Sequence, residues 1–232
     1  MTHDTLPPRI HVLVKPTGST CNLNCAYCFY LKKDQLYPGS RFRMSDEILE
    51  TYISQLIASH RSDTVTVAWQ GGEPTLMGVD FYRRSIELQN KYRRPGMTFE
   101  NTLQTNGTLL NDEWCEFFRE NDFLIGISID GPGHIHDTYR MDKKGGPTFD
   151  RVMRGLRLLQ KHGVEYTFWL PSTAKMPPIR SMCTGFFVMT SGLPGSSSFR
   201  PSSASAGERS LFIRRGPLSR IVPLSPGSGV NS

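Results

Sequence analysis

Residues 21–28 read CNLNCAYC and come shortly after an apolar stretch, HVLVKP (11–16), that predicts a β-strand. Three of the chain's five cysteines lie in this segment, with the spacing C-x3-C-x2-C. Three thiolates can hold three irons of a four-iron cubane, which leaves the fourth iron without a protein ligand. Because an open iron can coordinate another molecule, the segment predicts an iron–sulfur site that takes part in chemistry.

The alternative for the same loop is a structural zinc site, completed by a distant histidine such as His60, His134 or His136. Structural zinc ligands are usually spaced as two pairs, so the spacing of these cysteines favours a cluster. We expect His134 and His136, spaced H-x-H, to lie in a surface loop and not to bind metal. We interpret Cys115 as a buried apolar side chain and Cys183 as an isolated thiol.

Charge is distributed unevenly along the 232 residues. The net charge is +6, but residues 1–167 contain 20 Lys and Arg against 20 Asp and Glu, whereas residues 168–232 contain 7 against 1. Because the excess positive charge lies in the last part only, it does not indicate a nucleic-acid-binding surface in the first part.

The chain also carries no sequence signal for a membrane. No apolar run reaches the ~18 residues that span a bilayer, and the polar start lacks the pattern of a signal peptide. We therefore expect a cytoplasmic protein without membrane or nucleic-acid partners. In that reducing compartment, clustered cysteines bind metal more often than they form disulfides.

Strand-like and helix-like segments alternate through the first 167 residues. Strands are predicted from β-branched and apolar runs, and helices from 3.6-residue periodicity with capping residues such as Ser45. The predicted strands are 11–16, 64–70, 98–105, 123–130 and a fifth that begins at 164–167. The predicted helices are 45–60, 79–92, 111–121 and 148–163. This order favours an α/β fold with a parallel sheet and crossover helices, either open or curled into a barrel.

The alternation ends at Phe168. Residues 168–232 contain 14 Ser, 8 Pro and 7 Gly without a sustained period, a composition typical of disorder. A second interpretation is a frameshift near codon 168, because a shifted frame can encode a strand, a loop and an amphipathic helix, which continue the alternation. We therefore predict a folded core at 1–167 and an out-of-frame tail at 168–232. An early stop codon in the shifted frame of the gene would contradict this interpretation.

Four motifs together resemble a known family. They are the loop CNLNCAYCFYLKK (21–33), with an aromatic residue before its third cysteine, and the segments AWQGGEPTL (68–76), LQTNGTLL (103–110) and SIDGPGHIHDTYR (128–140). In combination they resemble the radical S-adenosylmethionine superfamily, and within it the anaerobic sulfatase-maturating enzymes. The resemblance covers residues 10–167 and implies a partial (β/α)6 TIM-like barrel that is incomplete at its C-terminal end. Barrel enzymes place their active sites at the carboxyl ends of strands, where these motifs lie.

The resemblance implies roles for individual residues. Cys21, Cys25 and Cys28 would ligate one [4Fe-4S] cluster. The adenine of S-adenosylmethionine would lie against an aromatic ring, and its amino group would bind backbone oxygens of the glycine run. Its ribose and carboxylate would be contacted by a hydroxyl and a guanidinium. The residues in these cofactor contacts would be Tyr27, Gly71, Gly72, Glu73, Ser128 and Arg140. The turn at 105–107 is left open between a ligand contact and a plain loop.

The implied chemistry is reductive. An external electron donor such as a flavodoxin or ferredoxin would reduce the cluster, and cleavage of S-adenosylmethionine would give methionine and a 5′-deoxyadenosyl radical. In the sulfatase-maturating family, that radical removes hydrogen from a Cys or Ser of a sulfatase polypeptide, which leads to formylglycine.

The chain also departs from the family pattern. Family members are longer, with a C-terminal region that carries cysteines for auxiliary clusters and an acidic catalytic residue, so no catalytic residue is assigned here. An open half-barrel would expose strand edges, and we expect poor cluster binding and no sulfatase maturation by this chain. The alternatives are another peptide-modifying radical enzyme, a non-catalytic remnant, or a zinc-binding module.

Overall fold

A computed structural model describes residues 11–30 and 33–169, apart from the side chains of Asp34 and Trp169. Its centre is a five-stranded sheet in which every neighbouring pair of strands is parallel and the spatial order follows the chain order, β1 to β5. The strands are β1 (Leu13–Val14), β2 (Thr64–Trp69), β3 (Thr98–Thr105), β4 (Leu124–Ser128) and β5 (Glu165–Trp169). Because β1 and β5 do not pair with each other, the sheet is open, which confirms the predicted partial barrel.

Helices connect the strands. The α-helices are α1 (Asp46–Ser59), α2 (Val79–Tyr92), α3 (Asp112–Glu120), α4 (Gly133–Tyr139) and α5 (Phe149–Lys161), and two short 3-10 helices span Lys33–Leu36 and Pro74–Met77. The predicted caps are confirmed for α1 and α3, where the side chains of Ser45 and Asn111 accept hydrogen bonds from backbone amides in the first turn. Within the described residues, no helix is long and apolar enough to cross a membrane.

One face of the sheet forms the core with the helices. Alternate residues of a strand point to opposite faces, and the set that includes Val65, Val67, Ile125 and Ile127 is fully buried in one apolar cluster with helix side chains. Aromatic rings continue that cluster from α1 to α3, with Trp69 in edge-to-face contact with its neighbours at about 5.5–5.8 Å between ring centroids. Apolar and aromatic side chains therefore pack the helices against the sheet.

The other face of the sheet is largely polar, although Ala68 and Leu124 also lie on it. Thr66 donates a hydrogen bond to Glu100 (3.2 Å) on the neighbouring strand, and Gln104 donates one to Ser128 (2.9 Å) further along the sheet. This face therefore differs from the interior of a closed barrel of the TIM type, where bulky branched side chains usually fill the space. The remaining residues on the polar face include Thr64, Thr98, Thr102 and Thr167.

The boundary predicted after residue 167 lies inside β5. This strand, which was predicted to begin at 164–167, continues to Trp169 in register with β4. The remainder of the predicted tail lies outside the described residues, and both the disorder and the frameshift interpretation stay predictions.

Candidate cofactor site

The cysteine loop is fixed to the segment that follows α4. The backbone amides of Asn24 and Ala26 donate to the carbonyls of Met141 and Tyr139, each at 2.8 Å, and Leu23 forms an isolated antiparallel bridge with Asp142. The loop thus has a defined backbone conformation although it belongs to no helix or strand.

The three thiols of this loop differ in exposure. Cys25 is 8% exposed, while Cys21 and Cys28 are half-buried. Burial raises the pKa of Cys21 to about 11 and also raises the pKa of Cys25. Without a cation, Cys21 and Cys25 therefore keep their protons at neutral pH, and a metal must displace those protons when it binds.

The Gly71–Gly72–Glu73 run packs against the residues that lead into the cysteine loop. The amides of Gly72 and Glu73 donate to the carbonyls of Gly18 (2.9 Å) and Thr20 (2.8 Å). A Cβ on Gly72 would lie 2.0 Å from the Thr20 carbonyl oxygen, and Gly71 has a φ of 119°, which favours glycine. Both glycines are therefore required for this contact, whereas their predicted contact with a cofactor stays a prediction.

The side chain of Glu73 connects the ends of β2 and β3. It is 1% exposed, and its carboxylate accepts hydrogen bonds from the amide and hydroxyl of Thr75 (3.1 and 2.6 Å), the hydroxyl of Thr105 (2.7 Å) and the amide of Asn106 (2.7 Å). Burial raises the pKa of Glu73, while these four donors act in the opposite direction. The family resemblance implies a role only for the backbone of Glu73, whereas its side chain has a separate, structural one.

The turn at 105–107, left open by the sequence, lies against the cysteine loop. Asn106 donates to the side-chain oxygen of Asn22 (2.8 Å) and to the sulfur of Cys21 (3.8 Å), and Asn22 donates to the hydroxyl of Thr108 (2.9 Å). The end of β3 therefore supports the first cysteine through side-chain amides.

Ser128 lies at the carboxyl end of β4 and is held by Gln104. The Gln104 amide reaches Ser128 by crossing Gly126, where a Cβ would lie 2.0 Å from the Gln104 amide oxygen. Because Gln104 is the donor in this bond, the Ser128 hydroxyl keeps its own proton for another acceptor. The predicted contact of Ser128 with a ribose stays a prediction, and Gln104 is a neighbour that the sequence did not single out.

Tyr27 and Arg140 meet at Asp130, which sequence analysis did not select. The Tyr27 hydroxyl donates to one carboxylate oxygen of Asp130, and Arg140 Nε donates to the other at 2.8 Å. The guanidinium carbon of Arg140 lies 5.4 Å from the centre of the Tyr27 ring. Burial raises the pKa of the Tyr27 hydroxyl, so this group remains a donor at neutral pH.

The expectation that His136 lies in a surface loop is wrong. It lies in α4, a helix that the sequence did not predict, and it is fully buried, whereas His134 on the same helix is exposed. The amide of Asp130 donates to His136 Nδ1 (3.3 Å), and Nε2 lies 3.0 Å from the hydroxyl of Thr148. Because that hydroxyl donates its own proton to the Arg140 carbonyl (2.6 Å), Nε2 must carry the imidazole proton and donate.

We expect this buried neutral imidazole to make stability depend on pH. Burial, followed by the charge of Arg140, lowers the pKa of His136 to about 4 from its ordinary value near 6.5. Below about pH 6.5, His136 binds a proton in the unfolded chain but stays neutral in the folded chain. The free energy of unfolding therefore falls as the pH is lowered from about 6.5 to about 4. Urea unfolding should show His136 lowering the free energy of unfolding by about 2 kcal/mol between pH 7 and pH 5.

Two variants isolate this effect from the carboxylates that titrate in the same range. His136→Asn should lose the His136 part of the pH dependence, whereas His134→Asn, a change of the same kind at an exposed position, should keep it. Equal slopes in the wild type and in His136→Asn would show that His136 is not the responsible group.

The zinc alternative needs a histidine with a free ring nitrogen near the thiols, and two of the candidates do not supply one. His60 Nδ1 is bound to the Leu56 carbonyl (2.8 Å) at the amino end of β2, while the cysteine loop lies at the carboxyl ends, and both ring nitrogens of His136 are engaged. Within residues 11–30 and 33–169, no three Cys, His, Asp or Glu side chains could hold a single metal ion together. A cubane takes each thiolate on a separate iron, so three thiols on one fixed loop fit a cluster.

These features define a class: an α/β protein of the partial-barrel type with a three-thiol loop at the carboxyl ends of its strands. Comparison with known families gives the particular one. The family model described as "Radical SAM superfamily" matches residues 16–172, and the chain belongs to that superfamily.

Similar proteins narrow the comparison further. A serine-type anaerobic sulfatase-maturating enzyme of Bacteroides thetaiotaomicron is 52% identical over 158 residues, which are 68% of this chain and 38% of that protein. A cysteine-type anaerobic sulfatase-maturating enzyme of Clostridium novyi is 40% identical over 158 residues, covering 68% of this chain and 42% of the relative. The chain thus spans about two fifths of the length of these relatives.

A solved structure agrees with the sequence comparison. The structure described as "Native anSMEcpe with bound AdoMet and Cp18Cys peptide" superimposes with a TM-score of 0.70 at 37% identity, over 78% of this chain and 48% of that chain. The match supports the radical SAM fold for the described residues.

Proposed function

We propose that this chain holds one [4Fe-4S] cluster on Cys21, Cys25 and Cys28 and binds S-adenosylmethionine at the open iron. The observation that carries the proposal is the three-thiol loop, which is hydrogen-bonded to the carboxyl end of β3 and to the segment after α4, while the residues that lead into it are bonded to the carboxyl end of β2. When bound, the cluster and cofactor supply a one-electron reductive cleavage of the cofactor. The protein contributes the arrangement of polar groups around it.

The chain's own residues suit that task. The Ser128 hydroxyl retains a proton to donate, and Arg140 presents a planar cation beside the Tyr27 ring. Gly71 and Gly72 bring the backbone of the next loop against the thiol loop without side chains between them. We assign these groups, with the backbone of Glu73, to S-adenosylmethionine.

Anaerobic reconstitution with iron and sulfide tests the cluster. Since β1 and β5 leave the sheet open, we expect fewer than four irons per wild-type chain, with the visible absorption of an iron–sulfur cluster. The Cys21→Ala/Cys25→Ala/Cys28→Ala variant should bind almost none, whereas Cys115→Ala, a change at a buried cysteine outside the loop, should match the wild type. Release of deoxyadenosine after dithionite would support cofactor cleavage, and a colourless protein that binds zinc would contradict the proposal.

We further propose that the substrate is a Cys or Ser of a sulfatase polypeptide, which is oxidised to formylglycine, and that a flavodoxin- or ferredoxin-type donor supplies the electron that reduces the cluster before S-adenosylmethionine is cleaved. The names of the similar enzymes support this assignment. Because those enzymes extend well beyond the matched part, we expect no formylglycine from this chain alone. Mass spectrometry of a sulfatase-derived peptide after incubation with the reconstituted chain tests this expectation, and a mass loss that indicates formylglycine would overturn the expectation while supporting the proposed substrate.

A further inference from the structure

Asp130 brings together two groups from distant parts of the chain. It follows β4 by two residues and is fully buried. Its two carboxylate oxygens accept from Tyr27, on the cysteine loop, and from Arg140, at the end of α4. One buried anion therefore fixes a phenol and a guanidinium at the same time.

The three groups form a closed arrangement. Arg140 is 6% exposed, and its cation lies over the Tyr27 ring while Nε is bound to Asp130. A buried guanidinium that loses its carboxylate is left as an uncompensated charge, which is strongly unfavourable. The main chain of Asp130 is also held, since its amide donates to His136. Each member of the arrangement therefore restricts the other two.

This arrangement acts on the proposed cofactor site. Tyr27 lies between Cys25 and Cys28 in sequence, so its bond to Asp130 connects the thiol loop to the end of β4. We propose that Asp130 is a positioning residue for S-adenosylmethionine: it does not touch the cofactor but orients the Tyr27 ring and the Arg140 guanidinium that bind it. The inference rests on the proposed function and extends it by one residue.

Two substitutions separate positioning from general support. Asp130→Asn removes the charge, whereas Tyr27→Phe removes one hydrogen bond and leaves the Asp130–Arg140 pair intact. Asp80→Asn is the matched control, because Asp80 also binds an arginine, Arg83 at 2.6 Å, on the exposed surface of α2.

The first measurement is S-adenosylmethionine affinity of the reconstituted 232-residue chain by equilibrium dialysis. We expect at least tenfold weaker binding for Asp130→Asn, at least threefold for Tyr27→Phe, and wild-type affinity for Asp80→Asn, with iron content unchanged. The double variant should be no weaker than Asp130→Asn, because both changes break one arrangement. The electron paramagnetic resonance change that the cofactor causes in the reduced cluster should also shrink. Unchanged affinity in Asp130→Asn, or loss of affinity only in step with iron, would overturn the inference.

The second measurement needs no cofactor. Hydrogen exchange of the unloaded chain should be at least tenfold faster at the amides of 24–28 in Asp130→Asn and faster in Tyr27→Phe, while β2 and β3 amides are unchanged. Equal exchange rates in all variants would overturn the inference about Asp130. Failure of the wild type to bind iron and S-adenosylmethionine would instead refute the proposed function, and the exchange measurement could still be made. If Asp130→Asn does not fold, Tyr27→Phe decides in both measurements.

Discussion

Gly72→Ala should abolish iron loading of the cysteine loop. The new Cβ would lie 2.0 Å from the Thr20 carbonyl oxygen and 2.8 Å from the Ser19 carbonyl carbon, distances that real Cβ atoms do not adopt. Because both atoms belong to the backbone, no side-chain rotation relieves the clash, and the segment leading to Cys21 must move. The hydrogen bonds from the amides of Gly72 and Glu73 to that segment would break as well.

We expect the Gly72→Ala chain to bind less than a tenth of the wild-type iron and to lose roughly 2–3 kcal/mol of unfolding free energy, in the upper range for overpacking. Iron analysis after reconstitution and urea unfolding measure the two effects. Gly146→Ala is the control, because the atom nearest to its Cβ would be a side-chain oxygen of Asp142 at 3.1 Å, whereas the nearest atom at Gly72 is a backbone oxygen at 2.0 Å. If Gly72→Ala bound as much iron as the wild type, the close contact of Gly72 with the Thr20 backbone would not be needed for iron loading.

Glu73→Gln should lower the free energy of unfolding by about 1–3 kcal/mol through the junction of β2 and β3. Three donors point at one carboxylate oxygen and one at the other, so an amide NH2 in either position faces a donor and leaves it unsatisfied. A buried donor without a partner costs about 1–3 kcal/mol. The loss should appear in urea unfolding and as faster exchange of the Asn106 amide.

Glu100→Gln provides the matched control for this prediction. Glu100 is exposed and accepts one side-chain hydrogen bond, from Thr66, so its replacement should change the free energy of unfolding by less than about 0.5 kcal/mol. If Glu73→Gln were as stable as Glu100→Gln, the four donors would contribute nothing measurable at this position.

The regular part of the fold could be predicted from the sequence because its signals are local. Apolar alternation, 3.6-residue periodicity and caps such as Ser45 and Asn111 gave α1 to α3, α5 and the five strands within a few residues. Helix α4 was missed because seven residues after a Gly-Pro pair carry no repeated periodicity. His136 was assigned to the surface for the same reason.

The site could be predicted only in part, because its contacts join distant positions. The cysteines are recognisable within eight residues, but Asp130 meets Tyr27 across 103 residues of sequence. The available signal was that Asp130 is a carboxylate at the end of a predicted buried strand, but this signal does not show which residues it would contact. Two further contacts depend on strand register, which the sequence leaves open. They are the hydrogen bond from the Asn106 amide to Glu73 and the packing of the Gln104 side chain against Gly126.

The polar face of the sheet has one more consequence, which concerns hydration. A wall of threonine hydroxyls and the Gln104 amide offers hydrogen bonds to water, whereas the opposite face is packed against the helices. Any molecule that enters along this wall must replace those water hydrogen bonds with its own, or lose affinity. Such a surface is a poor match for a hydrocarbon, which can replace none of those hydrogen bonds.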